Sequence, residues 1–250
     1  MNKTDIEWCD QTWNPITGCL HGCEYCYAKK IVNRFGGGKS WDRGSYYSEK
    51  LHVLFTKPEK PYPFYFEPTL HRYRLDEPQH IKKPQNIFVC SMADLFGEWV
   101  PDEWIEAVLD ACEKAPQHRY LFLTKNPKRY EKYINRYMPS NMWFGWTQTK
   151  PCGLIFSTHH SWQSFLSLEP IQAEFPLPNP QCDWVIVGAE TGNRKGKVIP
   201  KREWIENIVR ECRLHGIPVF MKDSLKKTWG EPLIQEYPWD GAKKQGVDHD

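Results

Sequence analysis

The chain has 250 residues, a length that one α/β barrel domain can fill, and its 33 Lys and Arg against 31 Asp and Glu leave a formal charge of +2. That balance excludes a protein that holds nucleic acid by net charge alone. No window approaches about 18 uninterrupted apolar residues, and the opening Met1 to Trp8 has no apolar h-region, so the expectation is a soluble, cytoplasmic protein with no membrane partner.

In chain order, the first distinctive segment is Gly18-Cys19-Leu20-His21-Gly22-Cys23-Glu24-Tyr25-Cys26-Tyr27-Ala28. A helix should follow it, because Ala28, Ile31, Val32 and Phe35 recur at helical spacing before Gly36-Gly37-Gly38. The cysteine segment is then a strand-to-helix loop. Residues 39 to 84 break the rhythm with six prolines among many aromatics, and an insertion of that length suggests a lid or substrate platform. From there the chain alternates. Apolar runs at Ile87–Cys90, Tyr120–Leu123, Met142–Trp146, Ser164–Leu168, Trp184–Val187 and Pro218–Met221 are continuous rather than alternating, as in strands buried on both faces of a parallel sheet. Helical patterns intervene from Pro101 through Cys112, from Asn126-Pro127 through Tyr137, and from Trp204 through Cys212, the last stopping near Gly216. This order predicts an α/β fold, a partial or complete parallel β/α barrel forming a single domain over 1–250, with a polar tail from about Gly241. The many Trp, Tyr and Phe residues are read mainly as core and interface.

Nine cysteines in a chain this long do not make a small disulfide scaffold. Cys19, Cys23 and Cys26 fall within eight residues while the other six are scattered, and one tight cluster in a reducing compartment points to metal. Three thiolates in C-x3-C-x2-C can hold three irons of a cubane cluster and leave the fourth iron open to a ligand. The alternative is structural zinc with His21 as a fourth ligand, although Cys-x-His-x-Cys would crowd a tetrahedron.

With an aromatic residue, Tyr25, just before the last cysteine, the segment resembles the hallmark of the radical S-adenosylmethionine (SAM) superfamily, C-x3-C-x-aromatic-C on the loop after the first barrel strand. The resemblance implies a radical-SAM-type barrel with a 4Fe-4S cluster on Cys19, Cys23 and Cys26 and SAM on the unique iron. Tyr25 would lie near the adenine, and a low-potential donor such as flavodoxin or ferredoxin would supply electrons. Glu7-Trp8, Thr12-Trp13-Asn14-Pro15, Ser91 to Phe96, Leu123-Thr124-Lys125, Ser167 to Pro170, Val187 to Gly192 and Phe220-Met221-Lys222 extend the likeness. Over the whole chain they resemble a little-characterised group of phage and bacterial radical-SAM-like proteins. The first cysteine spacing is shorter here than in many members of that group and nearer the superfamily's standard form.

Functional side chains of β/α barrels come from the C-terminal ends of strands. Just past the apolar runs stand Ser91 and Asp94, Lys125, Thr147, Glu169, Gly188 and Glu190, and Lys222. On the resemblance, Asp94, Glu169 and Glu190 would accept from the SAM amino group and ribose, while Lys125 or Lys222 would receive its carboxylate. Ser91 and Thr147 would line the same pocket, and Gly188 would let the backbone approach SAM. Cys90 and Cys9 are candidate hydrogen-atom donors, with Cys90 otherwise a small buried hydrophobe. His159-His160 reads as loop surface. Basic and aromatic residues interleave at His71–Arg74, Lys125–Tyr130 and Arg194–Arg202, a composition that suits phosphate contact with base stacking and equally a solvated face. These features predict radical chemistry on a nucleobase or nucleic acid. The alternatives are a peptide or protein substrate, or a metal-stabilised nucleic-acid-binding module without catalysis.

Overall fold

The computed structural model describes residues 1–35, 51–151, 162–176 and 180–240. The chain divides into two compact units, Met1–Met142 and Trp143–Asp250. In the first, β1 (Asn2–Lys3) pairs antiparallel with β2 (Gln11–Trp13). A third strand, β3 (Ile16–Thr17), leads into the cysteine loop and α1 (Tyr27–Phe35). Next come β4 (His52–Leu54), β5 (Thr69–His71), β6 (Asn86–Val89), α2 (Asp102–Glu113) and β7 (Arg119–Thr124). Strands β2, β6 and β7 run parallel, with Trp13 opposite Val89 and Val89 opposite Phe122. Ile87, Val89, Tyr120, Leu121 and Phe122 are all buried, which explains the unbroken apolar runs. Each such side chain removed from water contributes about 1.5–3 kcal/mol before entropic costs.

The expected insertion supplies β4 and β5, which join β3 in a small sheet of order β3-β5-β4. Its described part is therefore built structure under the start of the cysteine loop. Residues 36–50, including Gly36–Gly38 and the beginning of the insertion, lie outside the described residues. In α1, Ala28 and Val32 are buried as expected, against Met92, with Tyr62, Tyr65 and Phe66 of the insertion packed beside them. Phe35, by contrast, is exposed.

The second unit takes β8 (Met142–Thr147), which begins at the boundary, then β9 (Gln163–Leu168), β10 (Val185–Val187), α3 (Arg202–Leu214), β11 (Val219–Met221) and the one-turn α4 (Lys226–Trp229). These four strands are parallel neighbours in chain order. Helix α3 buries Ile205, Ile208 and Cys212 against them. Gly216, at φ +66°, ends it, with the Ile217 N–H donating to Cys212 O at 2.8 Å in a Schellman-type closure. Trp184, Phe220, Tyr237 and Trp239 pack ring to ring below 6.2 Å, so part of the aromatic wealth is core.

The protein is thus mixed α/β, with mainly parallel strands in each unit. One helix differs from expectation. Pro127–Tyr133 is a 3-10 helix, and of the expected apolar stripe only Tyr130 and Tyr133 are buried, while Ile134 is 43 % and Tyr137 83 % exposed. Its tighter winding brings Arg129, Lys132 and Tyr133 together on Asp102 at the start of α2. Among the described residues, no helix is long and apolar enough to cross a membrane. The tail from 241, Cys152 and His159-His160 lie outside the described residues.

Candidate functional site

The cysteine loop starts where β3 leaves the small sheet. Gly18 takes φ +88°, and a Cβ there would stand 2.2 Å from Glu67 O, so only glycine fits against the insertion. The Gly18 N–H donates to Met92 O at 3.0 Å and the Cys19 N–H to Phe66 O at 3.2 Å. A second left-handed glycine, Gly22 at φ +67°, turns the loop's middle. At its end Cys26 N–H bonds Cys23 O at 3.2 Å, and the Tyr27 hydroxyl donates to Ser91 O at 2.6 Å.

Cys19, Cys23 and Cys26 are free, half-buried thiols. Burial pushes the Cys19 thiol up to about 12; a backbone hydrogen bond at His21 opposes this, and the charges of Asp94, Cys26 and Cys23 add to it. Ligation by a metal would reverse this preference, because metals bind the thiolate. Among the described residues, no three His, Cys, Asp or Glu side chains stand together as a formed metal-binding group. The donor set nevertheless fits a thiolate-held cluster, with three free thiols on one short loop and Cys23 and Cys26 within electrostatic reach of Cys19.

Around the loop the unit places several expected residues. Asp94 is 5 % exposed, and three of its roughly four acceptor positions are spent inside the protein. It accepts from Phe96 N–H at 3.1 Å, Lys125 N–H at 2.9 Å and His21 Nε2 at 2.7 Å. Lys125 Nζ lies 5.8 Å from the centre of the Tyr25 ring, and among the described residues its ammonium enters no ion pair. Ser91 Oγ donates to Asn14 Oδ1 at 3.2 Å. Cys90 is 2 % exposed at φ +58°, an unusual conformation for a non-glycine residue, and burial pushes its thiol up to about 12. Cys9 is buried.

The remaining candidates sit at strand ends of the second unit. Glu169, after β9, pairs with Lys222, after β11, at 2.5 Å. Gly188, just past β10, leaves the needed room, since a Cβ there would lie 3.1 Å from Lys222 Cδ and 3.2 Å from Glu169 Cδ. Glu190 is buried and held by Arg194 Nε and Nη2, at 2.7 and 2.8 Å. Thr147 is the last residue of β8 and half-buried. The acids expected to be open acceptors are therefore mostly engaged by cations of their own unit. Sequence reasoning missed His21 as Asp94's partner, Arg194 as that of Glu190, and Trp99, whose ring meets His21 edge-on at 4.8 Å and whose buried Nε1 has no acceptor among the described residues. The one available signal for His21 was its place between two cluster cysteines.

The basic-aromatic segments are also largely self-satisfied. Arg72 covers Phe55, Arg74 donates to Asn14 O, Arg129 binds Asp102, Arg202 binds Glu206 and covers Trp229, and Lys201 covers Trp204. That pattern is what a folded surface needs for its own cohesion, so these segments by themselves do not define a nucleic-acid interface.

Fold and site together define a mixed α/β protein of mainly parallel strands, in which the loop from β3 to α1 carries three free thiols beside a lysine-covered tyrosine. The chain belongs to DUF5131, a family described as proteins of unknown function, whose model matches residues 3–250. No curated protein and no solved structure matches it.

Proposed function

We propose that this chain is a radical SAM enzyme, with Cys19, Cys23 and Cys26 holding a 4Fe-4S cluster, and that its strands belong to a partial or complete barrel of the radical SAM type. The observation that carries this is the loop itself: three free thiols in C-x3-C-x-Tyr-C order, directly after a strand and before a helix, beside an ammonium that enters no ion pair among the described residues. When bound, such a cluster supplies one low-potential electron that cleaves SAM to methionine and a 5'-deoxyadenosyl radical able to abstract hydrogen from a substrate.

The chain's own residues then bind and orient. Lys125 offers its ammonium to the SAM carboxylate, a role for which Lys222 is less free because Glu169 already holds it. Tyr25 presents a flat face for the adenine. At the strand ends of the second unit, Thr147, Glu169, Gly188, Glu190 and Lys222 are proposed on position alone. The substrate class is proposed to be a nucleobase or nucleic acid, supported by the likeness to phage and bacterial proteins and by the exposed Lys128 and Lys195. Electrons would come from a flavodoxin- or ferredoxin-like donor in a reducing cytoplasm, a setting that suits free thiols.

Anaerobic reconstitution should load about four irons per chain, lost when the three loop cysteines are replaced by Ala. The dithionite-reduced protein should convert SAM to 5'-deoxyadenosine and methionine. Stoichiometric zinc with no cluster capacity, or S-adenosylhomocysteine as the sole product, would overturn the assignment.

A further inference from the structure

One carboxylate joins three loops at the C-terminal end of the first unit's parallel strands. Asp94, in the loop after β6, receives the N–H of Phe96 from its own loop and the N–H of Lys125 from the loop after β7. Its third donor is His21, 73 positions earlier, midway between Cys19 and Cys23. A carboxylate that already accepts two backbone N–H groups is an acceptor, so His21 Nε2 carries the hydrogen. The imidazole is further fixed by the edge-on contact with Trp99. The ends of the loop are held by backbone bonds to Met92 and Phe66 and by Tyr27 on Ser91. Its middle, where Gly22 makes a left-handed turn with open space around it, is tied to the body of the unit through His21.

We propose that Asp94 and His21 are positioning residues: a brace, anchored on the buried Asp94, that holds the middle of the cysteine loop, and with it Cys19 and Cys23, in register with the Lys125–Tyr25 pair. Its consequence for cluster loading rests on the radical-enzyme proposal, but the brace is a property of the metal-free chain. Asp94 serves both sides at once, because the carboxylate that fixes the Lys125 backbone also fixes the loop that carries Tyr25. Asparagine cannot replace it. With its oxygen toward Lys125 and His21, its amide group faces the Phe96 N–H; turned round, it faces the Lys125 N–H.

Hydrogen exchange followed by mass spectrometry on the metal-free protein tests this, comparing wild type with His21→Phe, His21→Gln and Asp94→Asn. Phenylalanine keeps the packing on Trp99 and deletes the bond, whereas glutamine keeps an N–H that can reach the carboxylate. Amides over 18–26 should exchange about tenfold to a hundredfold faster in His21→Phe and Asp94→Asn. Those of β9 and α3 should be unchanged, and His21→Gln should recover most of the protection. Iron retained after anaerobic loading should fall in the same order. If wild type binds no iron, the cluster proposal fails while the exchange data still decide the brace. Should Asp94→Asn not fold, the His21 pair decides, since that side chain is 22 % exposed and on a loop. Wild-type exchange across 18–26 in folded His21→Phe would overturn the brace.

Discussion

His71 is fully buried at the end of β5, with Nε2 2.8 Å from Thr17 Oγ1 and Nδ1 3.3 Å from the Tyr73 hydroxyl. Burial, and then the nearby Arg74 charge, push its pKa down to about 3 from an ordinary value near 6.5. The native imidazole is therefore neutral where the unfolded one would be charged. Above about pH 6.5 neither state is protonated at this site, and its contribution to stability is fully present. As pH falls from about 6.5 toward 3, the unfolded chain gains a proton that the native state refuses, and stability declines by up to about 1.4 kcal/mol per pH unit. Urea midpoints of the metal-free protein at pH 7.5 and 5.0 should separate accordingly, and the separation should shrink in His71→Asn. An equal pH dependence in both proteins would show that His71 titrates normally.

At the scale of elements, the 3-10 helix Pro127–Tyr133 and the first turn of α2 share one carboxylate. Asp102 takes Arg129 Nη2 at 2.5 Å, the Tyr133 hydroxyl at 3.1 Å and Lys132 Nζ at 3.2 Å. Slight burial opposes ionisation, but the hydrogen bonds from Lys132, Arg129 and Tyr133 hold its carboxyl below the usual range. Asp102 also stands in the first turn of α2, where negative charge is favoured by the helix dipole. Because the carboxylate is half exposed, solvent screens much of this, and Asp102→Ala should cost about 1 kcal/mol, read as a lower urea midpoint. The difference should narrow in high salt.

Over the whole molecule, cysteine burial offers a reporter on each unit. Cys90 and Cys112 are buried in the first unit and Cys212 in the second, with burial raising all three thiols. Pulse labelling of the metal-free protein at pH 8, mapped by peptide mass spectrometry, should modify Cys23 and Cys26 first. Cys90, Cys112 and Cys212 should wait for unfolding of their units. Labelling of Cys112 as fast as Cys23 would mean that the first unit's core is open in solution.

The apolar runs that became β6 to β11, the stripes that became α2 and α3, and the cysteine spacing are local properties, legible because a strand buried on both faces must be apolar along its length. The segment from Asn126 reads as a helix with an apolar stripe through Tyr137, but Pro127–Tyr133 winds as a 3-10 helix because its side chains answer to Asp102, which is remote in sequence. Strands β2, β4 and β5 were missed because they are three residues long and take their partners from far along the chain, while the strand expected before the cysteine loop is the two-residue β3. Tertiary structure alone decided that Glu169 is spent on Lys222 and that the insertion lies under Gly18. It also decided that Asp94, expected to be an open acceptor, turns inward to His21. A charged side chain's role depends on which opposite group folding brings within about 3 Å, and no spacing in the sequence encodes that distance.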